Sequence, residues 1–201
     1  MSFEFLNSVS DFLITLLAIL FAISVHEFGH AFVAHLNGDN TAKNAGRMTI
    51  NPINHIDPFG MLMMFLVRFG WAKPVPVNPN NYKNEKIGNI TVSLAGIVFN
   101  LLSAIVFALV NKYVAMESIK AVSYALVMYN IGFAAFNILP IPPLDGWNLI
   151  ATFLPRETVY KVYEYSRYTT IIFIILIMTN AFSYILNPIY MFFYRIVMLF
   201  L

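Results

Sequence analysis

Long apolar runs separated by short polar stretches dominate the chain. The first runs from Phe12 to about Leu36, long enough to cross ~30 Å of hydrocarbon at 1.5 Å per residue. Asn37-Gly38-Asp39-Asn40 stops it with turn residues. Residues 41–58 are mixed and polar, and Arg47-Met48-Thr49-Ile50 has the make-up of a short strand. Gly60 to Phe69 is apolar but too short to cross as a helix, so it reads as a re-entrant segment. Residues 70–86 carry Pro74, Pro76 and Pro79 and read as an extended, β-like loop. Ile87 to Val110 is a second span and Ala121 to about Leu139 a third. Pro140, Pro142 and Pro143 break that third helix just before Leu144-Asp145-Gly146. Residues 147–167 are amphipathic and interfacial in character. Tyr168 to Leu186 is a fourth span, and Ile189 to Leu201 a short apolar end that crosses obliquely or lies at the interface. The pattern predicts an all-α multi-pass membrane protein. Residues 1–201 would form one domain, a bundle of about five or six transmembrane segments.

Composition strengthens this reading. Of 201 residues, 59% are hydrophobic and only 11% charged, against roughly 25% charged in soluble domains. The mean hydropathy is +0.71. Lipid must therefore replace water as the outer solvent, and the lipid bilayer is the first partner. A net charge of +2 gives no reason to expect a nucleic-acid partner. The N-terminus does not read as a cleavable signal, because the first basic side chain is Lys43.

Charge also orients the chain. If 60–69 does not cross, segments 37–86 and 140–167 share one face. That face carries Lys43, Arg47, Arg68, Lys73, Lys83, Lys86, Arg156, Lys161 and Arg167. The other face has Lys112 and Lys120, with Glu4 and Asp11 near the start. The positive-inside rule then places the basic face in the cytoplasm and the N-terminus outside, in a cell membrane.

The candidate chemistry sits inside the first span, at Ser24-Val25-His26-Glu27-Phe28-Gly29-His30. Histidines at i and i+4 share one helix face, so both imidazoles can reach one Zn²⁺. Glu27 can then approach a water beside the ion and act as general base. Two histidines and a glutamate inside an apolar span are costly unless they pair or coordinate. Cysteine is absent, so any metal must rest on His, Asp or Glu. A catalytic zinc usually takes three protein ligands. The candidates for the third are His35, His55, Asp57 and Asp145. Asp145 fits best, because the third span runs in the same direction as the first and delivers it at its end. Asp-Gly is equally a common turn pair, so spacing alone leaves both roles open for Asp145. Asn100 and Asn137 lie in apolar spans where an amide needs partners, through interhelical hydrogen bonds or substrate contact. Ala95-Gly96 suit close helix packing.

The residues now resemble a family. SVHEFGHAFVAH at 24–35, GRMTINPINHIDPFG at 46–60, GWAKPVPVNP at 70–79, SLAGIVFN at 93–100 and NILPIPPLDG at 137–146 carry the resemblance over nearly the whole chain. The chain resembles the site-2 protease family of intramembrane metalloproteases (peptidase family M50), in its compact prokaryotic branch without a PDZ domain. The resemblance implies one zinc ion per chain on His26, His30 and Asp145, with Glu27 as catalytic base. It implies that Asn137 opens the Asn-x-x-Pro…Asp-Gly motif and helps hold a substrate strand. Asn100 closes an Ala-Gly-Pro-x-x-Asn pattern in which Ile97 replaces the proline, which would leave the helix unkinked there.

By that resemblance the protein is a zinc metalloendopeptidase. It would cut transmembrane protein substrates in regulated intramembrane proteolysis, with its active site toward the cytoplasmic side. An extended loop at 70–80 could pair with an unwound substrate by strand addition. The alternative is a non-catalytic zinc-binding membrane scaffold or chaperone for single-span proteins, which would need the ligands but no base. A metal transporter would favour several sites along a path, and one cluster is visible.

Overall fold

A computed structural model describes residues 3–67, 71–165 and 181–201. The described helices are α1 (Phe3–Leu36), α2 (Thr41–Asn44), α3 (Pro58–Val67), α4 (Glu85–Tyr113), α5 (Glu117–Asn137), α6 (Asp145–Ala151), α7 (Arg156–Glu164) and α8 (Ala181–Met198). Three of them, taken over Val9–Leu36, Glu85–Tyr113 and Glu117–Asn137, are long and apolar enough to cross a membrane. They match the first three expected spans with shifted ends.

Local signals explain those ends. α1 stops in a Schellman turn: Asp39 N–H donates to the Ala34 carbonyl (2.9 Å) and Gly38 N–H to that of His35 (3.0 Å). Gly38 sits there at φ +108°, a conformation that glycine adopts without a Cβ penalty. α4 starts two residues earlier than expected because Asn84 caps it, its side chain accepting from Ile87 N–H (3.0 Å).

α4 packs against α1 and α5, which also touch each other, and α8 closes on α4 and α5. Ile97, Ala104 and Ala108 of α4 meet Val127, Ile131, Ala134 and Ala135 of α5, with Phe193 and Val197 of α8. Small side chains at the seams let the backbones approach closely. The outer face of α4 is the reverse of a soluble helix, with Val98, Leu102 and Val106 exposed at successive turns. Water would oppose such a stripe, whereas lipid suits it.

Two expectations are corrected. The strand at 47–50 does not form, and among the described residues the only β contact is an isolated antiparallel bridge between Ile56 and Ala72. Local hydrogen bonds claim the backbone instead: the Thr49 carbonyl accepts from His55 Nε2 (2.8 Å), and Thr49 Oγ1 accepts from Asn51 N–H (3.1 Å). The expected break between 186 and 189 is also absent, since Pro188 lies inside α8. There Phe193 and Val197 bury themselves in the helical core and hold the chain helical past the proline. Most of the expected fourth span, 168–180, lies outside the described residues. The stretch expected to be interfacial holds most of α6 and all of α7, joined by a turn at 152–155, and 60–67 lie within α3.

Candidate metal centre

α1 presents His26 and His30 on one face, four residues apart. α5 ends at Asn137, and the Pro140–Pro143 stretch turns the chain so that Asp145 opens α6. Gly146 makes that turn possible, since a Cβ there would overlap the carbonyl of Ile138. Asp145 Oδ2 consequently lies 3.1 Å from His26 Nε2 and 3.2 Å from His30 Nε2. The two Nε2 atoms are themselves 3.1 Å apart.

Hydrogen bonds reveal what this triangle needs. His30 Nδ1 lies 2.8 Å from the Val92 carbonyl, which can only accept, so Nδ1 carries the proton. His26 Nδ1 lies 2.8 Å from Asn100 Oδ1. The Asn100 amide is oriented by its own NH₂ group, which donates to the Ala22 carbonyl and to Asn130 Oδ1, each at 2.9 Å. Asn130 Nδ2 in turn donates to the Leu126 carbonyl (2.7 Å). The Leu126–Asn130–Asn100 chain thereby fixes His26 with its proton on Nδ1. When both imidazoles are neutral, their bare Nε2 lone pairs aim at one another and at Asp145 Oδ2, a buried oxygen with no hydrogen-bond partner among the described residues. Three acceptors 3.1–3.2 Å apart repel unless a cation lies among them. Ligand atoms about 2.0–2.1 Å from a tetrahedral ion stand about 3.3 Å apart, so the triangle fits one metal ion. All three residues are buried.

α4 covers the centre. Gly96 lies against both rings: a Cβ there would overlap His26 and stand 2.6 Å from His30 Nε2. Ile97 leaves α4 helical from Glu85 to Tyr113, and Asn100 still reaches His26.

Glu27 meets the loop from the other side. Its Oε2 accepts from Val75 N–H (2.8 Å). Pro74 and Pro76 have no N–H, so Val75 carries the one backbone donor of that tripeptide. The loop is stapled on both flanks. Arg47 donates to the carbonyls of Lys73 (2.8 Å) and Pro74 (3.2 Å). Asn78 N–H donates to Asp39 Oδ2 (2.7 Å). Asp39 also accepts from Asn81 Nδ2 (2.8 Å), Thr41 N–H (3.0 Å) and the Thr41 hydroxyl. Burial would raise the Asp39 carboxyl, but these donors outweigh it and hold it below the usual carboxylate range. Burial, and then the Asp39 charge, push the neighbouring Tyr82 hydroxyl up to about 12.

The remaining candidates lie elsewhere. His35 pairs with Asn40 Oδ1 (2.6 Å) beyond the end of α1. His55 holds the Thr49 carbonyl, and Asp57 caps α3 by accepting from Gly60 N–H (2.7 Å). Asn137 donates back to the Phe133 carbonyl (3.0 Å) in its own helix. Asn130, Gly96 and Val75 were not singled out as site residues from the sequence. Asn130 gave the same signal as Asn100, an amide in an apolar span.

Comparison with curated proteins adds the family. The chain is 38% identical over 183 residues to a Bacillus subtilis protein named "Putative zinc metalloprotease YwhC", covering 86% of this chain and 83% of that one. The chain belongs to the site-2 protease family. Two further relatives are named "Putative zinc metalloprotease Rip2". The Mycolicibacterium smegmatis protein is 27% identical over 88% of this chain and 71% of its own length. The Mycobacterium tuberculosis protein (strain H37Rv) is 31% identical over 69% of this chain and 56% of its own length. No family model matches the chain, and no solved structure gives a significant match. In this site-2 protease family member the residues that carried the resemblance come together: His26 and His30 from the first motif, Val75 from the proline loop, Asn100 from α4 and Asp145 from the last.

Proposed function

We propose that the protein is an intramembrane zinc endopeptidase that cuts membrane-spanning protein substrates. The observation that carries this reading is the convergence of His26 Nε2, His30 Nε2 and Asp145 Oδ2 from distant parts of the chain, with Glu27 following His26 in α1. These three residues would hold one zinc ion. When bound, it supplies a Lewis acid that acidifies water and polarises a peptide carbonyl.

The chain's own residues do the rest. Val75 N–H holds Glu27 Oε2, and Oε1 would be the oxygen that takes the proton from the attacking water. Glu27 takes a proton as the water oxygen bonds to the carbonyl carbon. It returns that proton to the amide nitrogen as the C–N bond breaks. Asn100 and Asn130 keep His26 in the tautomer that binds metal. Asn137, at the turn that delivers Asp145, helps hold the substrate strand.

The membrane setting rests on the three apolar helices and their exposed stripes. His30 lies six residues from the end of α1, ~9 Å along the helix axis, which sets the centre below one surface. The basic residues put that surface on the cytoplasmic side with the N-terminus outside. α3, at ten residues, is too short to cross and would enter and return beside the site.

Glu27→Gln separates this reading from a zinc-holding scaffold. It preserves the side chain's size and the three ligands but removes the base. Cleavage of a single-span reporter in proteoliposomes is expected to fall at least ~100-fold, with bound zinc unchanged. Equal cleavage by both forms, or none by either, would overturn the peptidase assignment.

A further inference from the structure

A cavity of about 110 Å³ lies beside the metal centre, walled by Ile19, Ile23, Met61, Trp71, Ala72 and Phe133. Three of these walls adjoin the proposed chemistry. Ile23 stands one turn before His26 and Glu27 on the same face of α1. Phe133 of α5 sets its ring edge-on to His26, with centroids 5.6 Å apart. Ala72 lies three residues before Val75, whose N–H holds Glu27. Among the polar groups in the lining, Asp57 caps Gly60 and His55 Nε2 holds the Thr49 carbonyl, while the buried His55 Nδ1 has no hydrogen-bond partner among the described residues. The rest of the lining is apolar, so a charged group entering here would lose water and find one free ring nitrogen at most, whereas an aliphatic group loses nothing.

We propose that this cavity is a specificity subsite that takes one aliphatic substrate side chain next to the scissile bond, with Ile23, Ala72 and Phe133 setting its size. The inference rests on the peptidase reading above and adds to it the class of residue recognised. Volume argues for leucine, isoleucine or valine. An apolar cavity of about 150 Å³ takes a benzene ring, so 110 Å³ suits a branched four-carbon chain and excludes an indole. Position argues for a substrate side chain over a lipid tail, because all three walls converge on His26 and Glu27 within a helical turn or a few residues.

The test uses the full zinc-loaded chain in detergent and a series of dipeptide hydroxamates, which anchor on zinc and differ in one side chain: glycine, leucine or tryptophan. Affinity is the readout. In the natural protein the leucine compound is expected to bind roughly 10-fold to 100-fold more tightly than the glycine parent, and the tryptophan compound no better than the parent. Ala72→Leu fills the space and should abolish the leucine preference while leaving the parent within about 3-fold. Ile23→Ala enlarges it and should strengthen the tryptophan compound by about 10-fold. Ile19→Ala, further from the metal ligands, provides a second enlargement should Ile23→Ala fail to fold. If the parent binds but the leucine preference is absent, or identical in every variant, the subsite is overturned and the peptidase reading stands. A phospholipid that copurifies with the natural protein and is displaced by Ala72→Leu would overturn it in favour of an acyl chain. A parent compound that shows no zinc-dependent binding would overturn both readings.

Discussion

Single hydrogen bonds decide whether His26 can serve as a ligand. Its Nε2 lone pair exists only while Nδ1 keeps its proton, and that depends on which way the Asn100 amide points. Asn130 fixes the amide from 30 residues away in sequence. Asn130→Leu should therefore weaken zinc binding by roughly 10-fold to 100-fold in chelator competition, the usual effect of removing such outer partners. Nitrogen chemical shifts of the imidazoles would report a mixture of His26 tautomers in the variant. An unchanged affinity and a single tautomer would show that Asn130 only packs. At this scale the sequence was partly legible. The i, i+4 histidines announce themselves because helix geometry makes them neighbours. Asp145 needed the turn at 138–144 to be built before its distance from His26 had any meaning. Gly96 was readable only as a small packing residue, because nothing in the chain order says that its α-carbon faces two imidazoles.

Between helices, the proline loop behaves as an element without regular structure that is nonetheless fixed. Val75 reaches Glu27 because Arg47 and Asp39 hold the chain on either side. The Asp39 carboxyl is lowered in the folded protein, so its stabilisation is fully present above the unfolded value of about 3.9. It is lost as pH falls through the lower folded value. Thermal unfolding in detergent should show this: the natural midpoint falls as pH drops from 5 toward 2. Asp39→Asn, which presents an NH₂ group to donors, should start lower at neutral pH by about 1–3 kcal/mol and fall less on acidification. Parallel pH profiles for the two proteins would refute a role for the Asp39 charge. The proline spacing did reveal an extended loop. It gave no sign that Val75 would bond to Glu27, and the strand expected at 47–50 was lost to local hydrogen bonds, from the Asn51 N–H to the Thr49 hydroxyl and from the His55 ring to the Thr49 carbonyl. The apolar run was divided between Leu186 and Ile189, yet packing of Phe193 and Val197 keeps α8 whole across Pro188.

Across the molecule, the packing is inverted relative to a water-soluble bundle. Alanine and glycine line the seams between α1, α4 and α5, while valine, leucine and phenylalanine face outward. That arrangement was visible in the sequence as hydropathy, and the three long helices appear where the apolar runs place them. What hydropathy could not convey was how three chain segments meet at one depth, since that depends on helix tilt and on a close approach permitted by Gly96 and Gly146. The meeting point is the claim on which everything else depends, and metal content tests it directly. Purified natural protein and the Glu27→Gln form should each carry one zinc per chain by elemental analysis, and His26→Ala and Asp145→Ala should each retain less than a tenth of that under the same wash. Metal-free natural protein that still cleaves its reporter, or full zinc occupancy in the Asp145→Ala form, would contradict a centre built from His26, His30 and Asp145.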